Sequence, residues 1–190
     1  MSSNLNKTYK LAGKIFPGIS KICIQCNTCC RTYGWLLEEE AKNFIKRGYP
    51  VVEINGVLNC IDSFQKDKRG RKIIEKIPRC IFYQRTRRCK IHKIRSMDCR
   101  FYPAKVKVGK EKFLIGLSLG CKYIASLSEH EKEIICRNIV AFFKSGPKKI
   151  IKEFLDLNQK IASISKPKRF WMKKLLEIDI IDKKIKKCYL

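Results

Sequence analysis

Ile22-Cys23-Ile24-Gln25-Cys26-Asn27-Thr28-Cys29-Cys30 places four cysteines within eight residues. Neither core packing nor disulfide formation calls for thiols at that density, whereas a metal ion or an iron-sulfur cluster does. Two residues between cysteines is a spacing that a turn supplies, so Cys23, Cys26 and Cys29 are set to converge on one centre. Asn27 suits the left-handed backbone that tight loops often adopt. Cys29 and Cys30 are neighbours, and neighbouring side chains diverge, by half a turn in extended chain and by about 100° in a helix. Both rarely reach one ion, so two centres or one polynuclear cluster are implied.

Working outward, Cys80, Cys89 and Cys99 follow at intervals of nine and ten residues, and Cys121 closes the set after Ser118-Leu119-Gly120. Arg79, Arg88, Lys90 and Arg100 each stand next to one of these thiols in sequence. Positive charge lowers a thiol pKa and favours an anionic metal-thiolate centre. A four-thiolate zinc site or a four-cysteine cubane carries about −2 overall, so guanidinium groups suit its surroundings. For a redox-active centre, such surroundings raise the potential.

The rest of the chain reads as α+β: a small cysteine-cluster metal-binding domain with short β-hairpins (1–125), followed by a basic amphipathic helical region (126–190). Glu38-Glu39-Glu40 opens a helix that ends in bases before Gly48, and these acids are ordinary first-turn chemistry. Val51 to Ile54, Asn55-Gly56, the charged turn Lys66 to Gly70 and Ile73 to Ile77 predict hairpins. Another is predicted to turn at Gly109-Lys110. Ser128-Glu129-His130-Glu131 is a capping box, with Ile135, Ile139, Phe142 and Phe143 on one face of the helix that follows. A second helix after Pro147 repeats Ile150, Ile151, Phe154, Leu155 and Ile161. A third amphipathic segment after Pro167 carries Phe170, Trp171, Leu175 and Leu176 among lysines. These stripes bury against each other and the first domain in the simplest case, or lie on a membrane surface as the alternative.

The chain has 190 residues, enough for a core without disulfide staples, and 11 cysteines, an odd number that a complete set of internal disulfides cannot use up. Its first 21 residues lack a secretory pattern, and no run suffices to span a bilayer, so a cytoplasmic location with reduced thiols is expected. The formal net charge of +26 attracts phosphates or anionic lipid, although lysine drift on a solvated surface yields the same count. No glycine-rich nucleotide loop, Gly-x-Ser-x-Gly elbow or His-Glu-x-x-His zinc helix is present.

Cys23-x2-Cys26-x2-Cys29-Cys30, then Cys80, Cys89 and Arg95-x3-Cys99-Arg100-x2-Pro103, resembles the YkgJ-type cysteine-cluster family, described as zinc- or iron-chelating. The similarity covers about Ile22 to Cys121. His92 stands where that family usually has Tyr, and Ser96 where it has Pro. The resemblance, together with the clustering, implies metal ligation by Cys23, Cys26, Cys29, Cys30, Cys80, Cys89, Cys99 and Cys121. Arg79, Arg88, Arg95 and Arg100 would surround the centre, as an iron-sulfur cluster or zinc. His92 is expected as a ring beside it. Cys60, Cys136 and Cys188 stand apart as buried or surface thiols. A related group, the flagellin lysine methylases, contains a similar cysteine domain, so a cluster-dependent modifying enzyme is one alternative. A nucleic-acid-binding module with a structural metal is another, with Phe82-Tyr83 and Phe101-Tyr102 among bases as a stacking surface. The opposing reading packs those aromatics inside. Whether there is catalysis stays open at the level of sequence.

Overall fold

The computed structural model describes residues 2–26, 34–60, 65–66, 72–73, 80–82, 89–164 and 172–188. They fall into two compact units, residues 20–99 and residues 2–19 with 100–190. This division differs from the one at 125/126 expected from composition.

In the first unit, α2 (Ile19–Cys26) leads to β1 (Trp35–Leu36), α3 (Glu38–Lys46), β2 (Val52–Ile54) and β3 (Val57–Asn59). The three strands form an antiparallel sheet in the order β1-β3-β2. Asn55 and Gly56 turn the β2–β3 hairpin with φ of 51° and 76°. Both central residues therefore lie in the left-handed region, which matches the twist of the flanking strands. β4 (Gln65–Lys66) and β5 (Lys72–Ile73) pair as a second small hairpin. Leu36, Ala41, Phe44, Cys60, Phe82 and Ile91 form the core of this unit. Phe44, Tyr49 and Phe82 meet edge to face, with ring centroids 4.9–5.9 Å apart.

The second unit is built on β6 (Ala104–Val108), β7 (Lys112–Ser118), β8 (Met172–Asp179) and β9 (Ile185–Cys188), an antiparallel sheet in that order. Directly opposed residues share a face, so Val106, Ile115 and Leu176 line one side. α6 (Glu129–Ser145) and α7 (Lys148–Ile164) supply Phe142, Phe143 and Phe154, which surround Phe101 at centroid distances of 5.0–5.7 Å. The capping box at the start of α6 is as the sequence indicates, with Glu131 accepting from the Ser128 N–H and Ser128 Oγ accepting from the Glu131 N–H. Gly146 joins the two helices where a Cβ would stand 2.8 Å from the Phe142 carbonyl oxygen, so only glycine fits this corner.

One element carried no expectation and another departs from one. The N-terminal stretch forms a helix, α1 (Ser3–Ala12), capped by Ser2 Oγ accepting from the Leu5 N–H. The segment after Pro167 is β rather than helical, since 172–179 and 185–188 are strands. Leu176, Glu177, Ile178 and Asp179 alternate apolar and polar, the period of a strand. Adjacent Leu175 and Leu176 break that alternation and mimic a helical stripe. The structure buries both because the β7–β8 register shifts between Ile115 and Gly116. Among the described residues, no helix is long and apolar enough to cross a membrane.

Candidate metal centre

Cys23 and Cys26 lie in α2 rather than in a loop. Three residues of helix rotate the chain by nearly a full turn, so backbone positions 23 and 26 share a face and the spacing still supports convergence. Cys29 and Cys30 fall outside the described residues, as do Arg79 and Arg88.

Cys80 and Cys89 are half-buried against the apolar cluster of the first unit, where Cys60 is itself buried. The Lys90 N–H donates to the Phe82 carbonyl at 3.0 Å, which ties the chain just after Cys89 to the chain just after Cys80. Beyond Cys89 comes a 3-10 turn, His92–Ile94, and then α4 (Met97–Phe101), which carries Cys99.

α4 is held by two carboxylates. Glu40, only 1 % exposed, accepts from the Met97 N–H with Oε1 at 2.6 Å and from the Leu37 N–H with Oε2 at 2.9 Å. One buried carboxylate thus satisfies orphan donors at the starts of two helices, α3 and α4. Asp98 Oδ2 accepts from the Trp35 N–H at 3.2 Å and fastens β1 to α4. Ser96 caps α4, its Oγ accepting from the Cys99 N–H at 3.5 Å. This gives the serine that replaces the family's usual proline a local role.

These ties bring Gly34, the residue before β1, against the Cys99 side chain. A Cβ at position 34 would lie 2.5 Å from Cys99 Sγ, 2.8 Å from Ser96 Oγ and 3.8 Å from Asp98 Oδ2. Glycine is required for this approach. Part of Cys99 reaches solvent, yet protein crowds its thiol, and that desolvation, then Asp98 and Cys80, push its pKa well above the ordinary thiol value. The Ser96 hydroxyl and the Arg95 guanidinium pull the other way. Burial, followed by Cys80 and Glu40, pushes the Cys60 thiol up to about 12. Cys80 therefore lies within electrostatic reach of both Cys60 and Cys99. Without a cation the Cys60 and Cys99 thiols keep their protons at neutral pH; a cation beside them would favour the thiolates.

The other expected site residues stand as follows. Arg95 donates from Nη1 to His92 Nε2 at 2.9 Å, so the two side chains are paired. Arg100 belongs to the second unit, its guanidinium 4.1 Å from the centre of the Tyr9 ring. Cys121 also belongs to the second unit, just before α5 (Lys122–Ala125). Cys136 is buried in α6 and Cys188 is exposed on β9. Phe82 and Phe101 are core residues, 5 % and 2 % exposed, which overturns their reading as a stacking surface for bases. Cys60 is buried, one of the two places expected for it, while the role of Gly34 and the second bond of Glu40, to the Met97 N–H, were not foreseen. Only Glu40 carried a local signal, since Leu37-x-x-Glu40 has the spacing of a capping-box return bond.

The candidate donors are sulfur, which suits zinc and iron alike. Among the described residues, no three His, Cys, Asp or Glu side chains form a closed metal pocket. Cysteines clustered in sequence on a small α+β scaffold define a class, the cysteine-cluster domains. The chain belongs to the CxxCxxCC family, "Putative zinc- or iron-chelating domain", which matches residues 22–122. No curated protein and no solved structure matches it.

Proposed function

We propose that the protein is a metal-binding cysteine-cluster protein whose basic surface meets an anionic partner. Cys23, Cys26, Cys29, Cys30, Cys80, Cys89 and Cys99 supply thiolates, and Cys121 joins them on the strength of the family match, which ends at residue 122. The observation that carries this reading is the approach of Gly34 to Cys99 Sγ. Four peptide steps separate Cys30 from Gly34, a reach of at most about 14 Å for extended chain. Gly34, four positions after Cys30 in sequence, thus stands beside a thiol far along the chain.

The vicinal pair and the number of thiols favour an iron-sulfur cluster over zinc. Such a cluster would supply electron transfer or a structural staple, and zinc a staple alone. Arg95 supports a negatively charged centre, since its guanidinium stabilises the Cys99 thiolate. The charge of +26 supports an anionic partner, with Lys107, Lys184, Lys186 and Lys187 among the exposed bases. Metal analysis with visible spectra on anaerobically purified protein tests the centre. A brown protein containing iron and sulfide is the expected result, and a colourless one with stoichiometric zinc would assign zinc instead. Protein that retains neither metal and takes up neither would refute the proposal.

A further inference from the structure

At one end of the second unit's sheet, two hairpin tips lie side by side. Gly109 closes the β6–β7 turn, its N–H donating to the Lys112 carbonyl at 2.8 Å, and the Ile180 N–H at the β8–β9 turn donates to the Glu111 carbonyl at 3.1 Å. The β8–β9 tip is anchored from below. Asp179 Oδ1 accepts from the Ile181 and Asp182 N–H groups at 2.7 and 2.8 Å, and Lys183, at φ 56°, turns the chain back toward β9. The Lys183 ammonium lies 3.0 Å from Asp156 on α7 and 4.6 Å from the centre of the Phe113 ring. On this fixed tip Ile181 is 88 % exposed, against 60 % for Ile45, the next most exposed large apolar side chain among the described residues. Turn tips usually carry Gly, Asn, Asp or Ser, so neither the turn nor the core asks for isoleucine there.

We infer that these two tips form a docking surface for a bilayer bearing anionic lipid, with Ile181 entering the boundary between headgroups and acyl chains. The inference deepens the anionic-partner reading above and rests on it. Residues 104–112 and 179–188 contain eight lysines against three acids, Glu111, Asp179 and Asp182. Lys107, Lys110, Lys184, Lys186 and Lys187 are exposed, so positive charge flanks the isoleucine. Lysines at such a surface are drawn by the negative potential of an anionic leaflet, and an apolar side chain among them adds the burial that charge alone lacks. A nucleic acid fits these tips less well. All eight basic residues are lysine, and the two segments hold neither arginine nor an aromatic ring. Forked contacts to phosphates and base edges call for arginine, and base stacking calls for rings. Lysine is a point charge on a flexible apolar stem and suits a fluid field of headgroups, where the stem lies along apolar surface and the ammonium stays in water.

Flotation with vesicles tests the surface, using full-length protein as purified and phosphatidylcholine with or without about one-third phosphatidylserine. Binding that requires phosphatidylserine and weakens with salt is expected. Ile181→Ser should weaken it about tenfold, and Lys110→Gln combined with Lys184→Gln about thirtyfold. All three positions are exposed, so these variants should fold as wild type does, which circular dichroism checks. Ile45→Ser, and Lys144→Gln combined with Lys148→Gln, remove the same kinds of group from exposed positions elsewhere and should bind like wild type. Equal weakening by the tip and control variants would overturn the inference, since charge anywhere on the surface would then suffice. An Ile181→Ser variant that binds like wild type would overturn it too. So would a protein that ignores vesicles but holds nucleic acid with a steep salt dependence, a result that leaves the anionic-partner reading intact. A protein that binds neither would overturn that reading and the inference with it.

Discussion

A methyl group at position 34 would sit 2.5 Å from Cys99 Sγ and 2.8 Å from Ser96 Oγ, closer than carbon approaches either atom. Gly34→Ala must therefore displace the thiol or lift β1 from α4. The expected outcome is reduced metal per chain, read by elemental analysis, with circular dichroism little changed. Metal content equal to wild type would show that the placement of Cys99 tolerates such a shift. Glu40 acts on the same helix from the other side. Glu40→Ala leaves the Leu37 and Met97 N–H groups without their charged acceptor, and two such bonds are worth about 3–6 kcal/mol together. Urea midpoints should report that loss. The raised thiol pKa values add a pH dependence with a definite sign. Below the ordinary value of 9.0, the Cys60 thiol is protonated folded or unfolded and costs nothing. Between there and about 12 the unfolded chain gives up the proton while the fold retains it, so metal-free stability falls as pH rises. Urea titrations across this range should show the decline, and Cys60→Val should flatten it. At this scale the sequence made the cysteine run plain by density alone. It could not reveal the role of Gly34 or the second bond of Glu40, whose partners Cys99 and Met97 lie more than fifty positions away and are met only in the fold.

Among the elements, those with purely local causes were legible. Asn55-Gly56 specifies its hairpin because both residues tolerate positive φ. Ser128 and Glu131 start α6 through reciprocal bonds three residues apart. β8 was obscured because its strand character depends on pairing with β7, and the register shift lets Leu175 and Leu176 both turn inward. Partnership across more than fifty residues overrode a local pattern that fitted a helix. The cap itself is testable. Ser128→Ala should cost about 1 kcal/mol, typical of a lost N-cap, measured by thermal or urea unfolding. Glu131 is held below its ordinary value of 4.5, chiefly by the bond from the Ser128 N–H and then by the hydroxyl. Its contribution is present above that ordinary value and lost as pH falls through the lowered one. Glu131→Gln should therefore lower stability by a constant amount at neutral and alkaline pH and converge on wild type as pH falls through the lowered value, read from urea midpoints across pH.

For the molecule as a whole, the two units differ in what holds them together. The second has a four-stranded sheet with a seven-residue and an eight-residue strand at its centre, and Phe101, Phe142, Phe143 and Phe154 packed as one aromatic group. The first has strands of two and three residues and a small core that includes thiol side chains. Domains with so little apolar burial usually need a staple, and binding free energy at a structural metal site is folding free energy. Chelation should therefore act unequally. Hydrogen exchange followed by mass spectrometry, on protein with its metal and after removal, should show amides of β1, β3 and the Cys89–Cys99 segment losing protection. Amides of β7, β8 and α6 should keep theirs. Uniform loss over both units would mean that the metal supports the entire fold, and unchanged protection in the first unit would mean that its thiols bear no structural load.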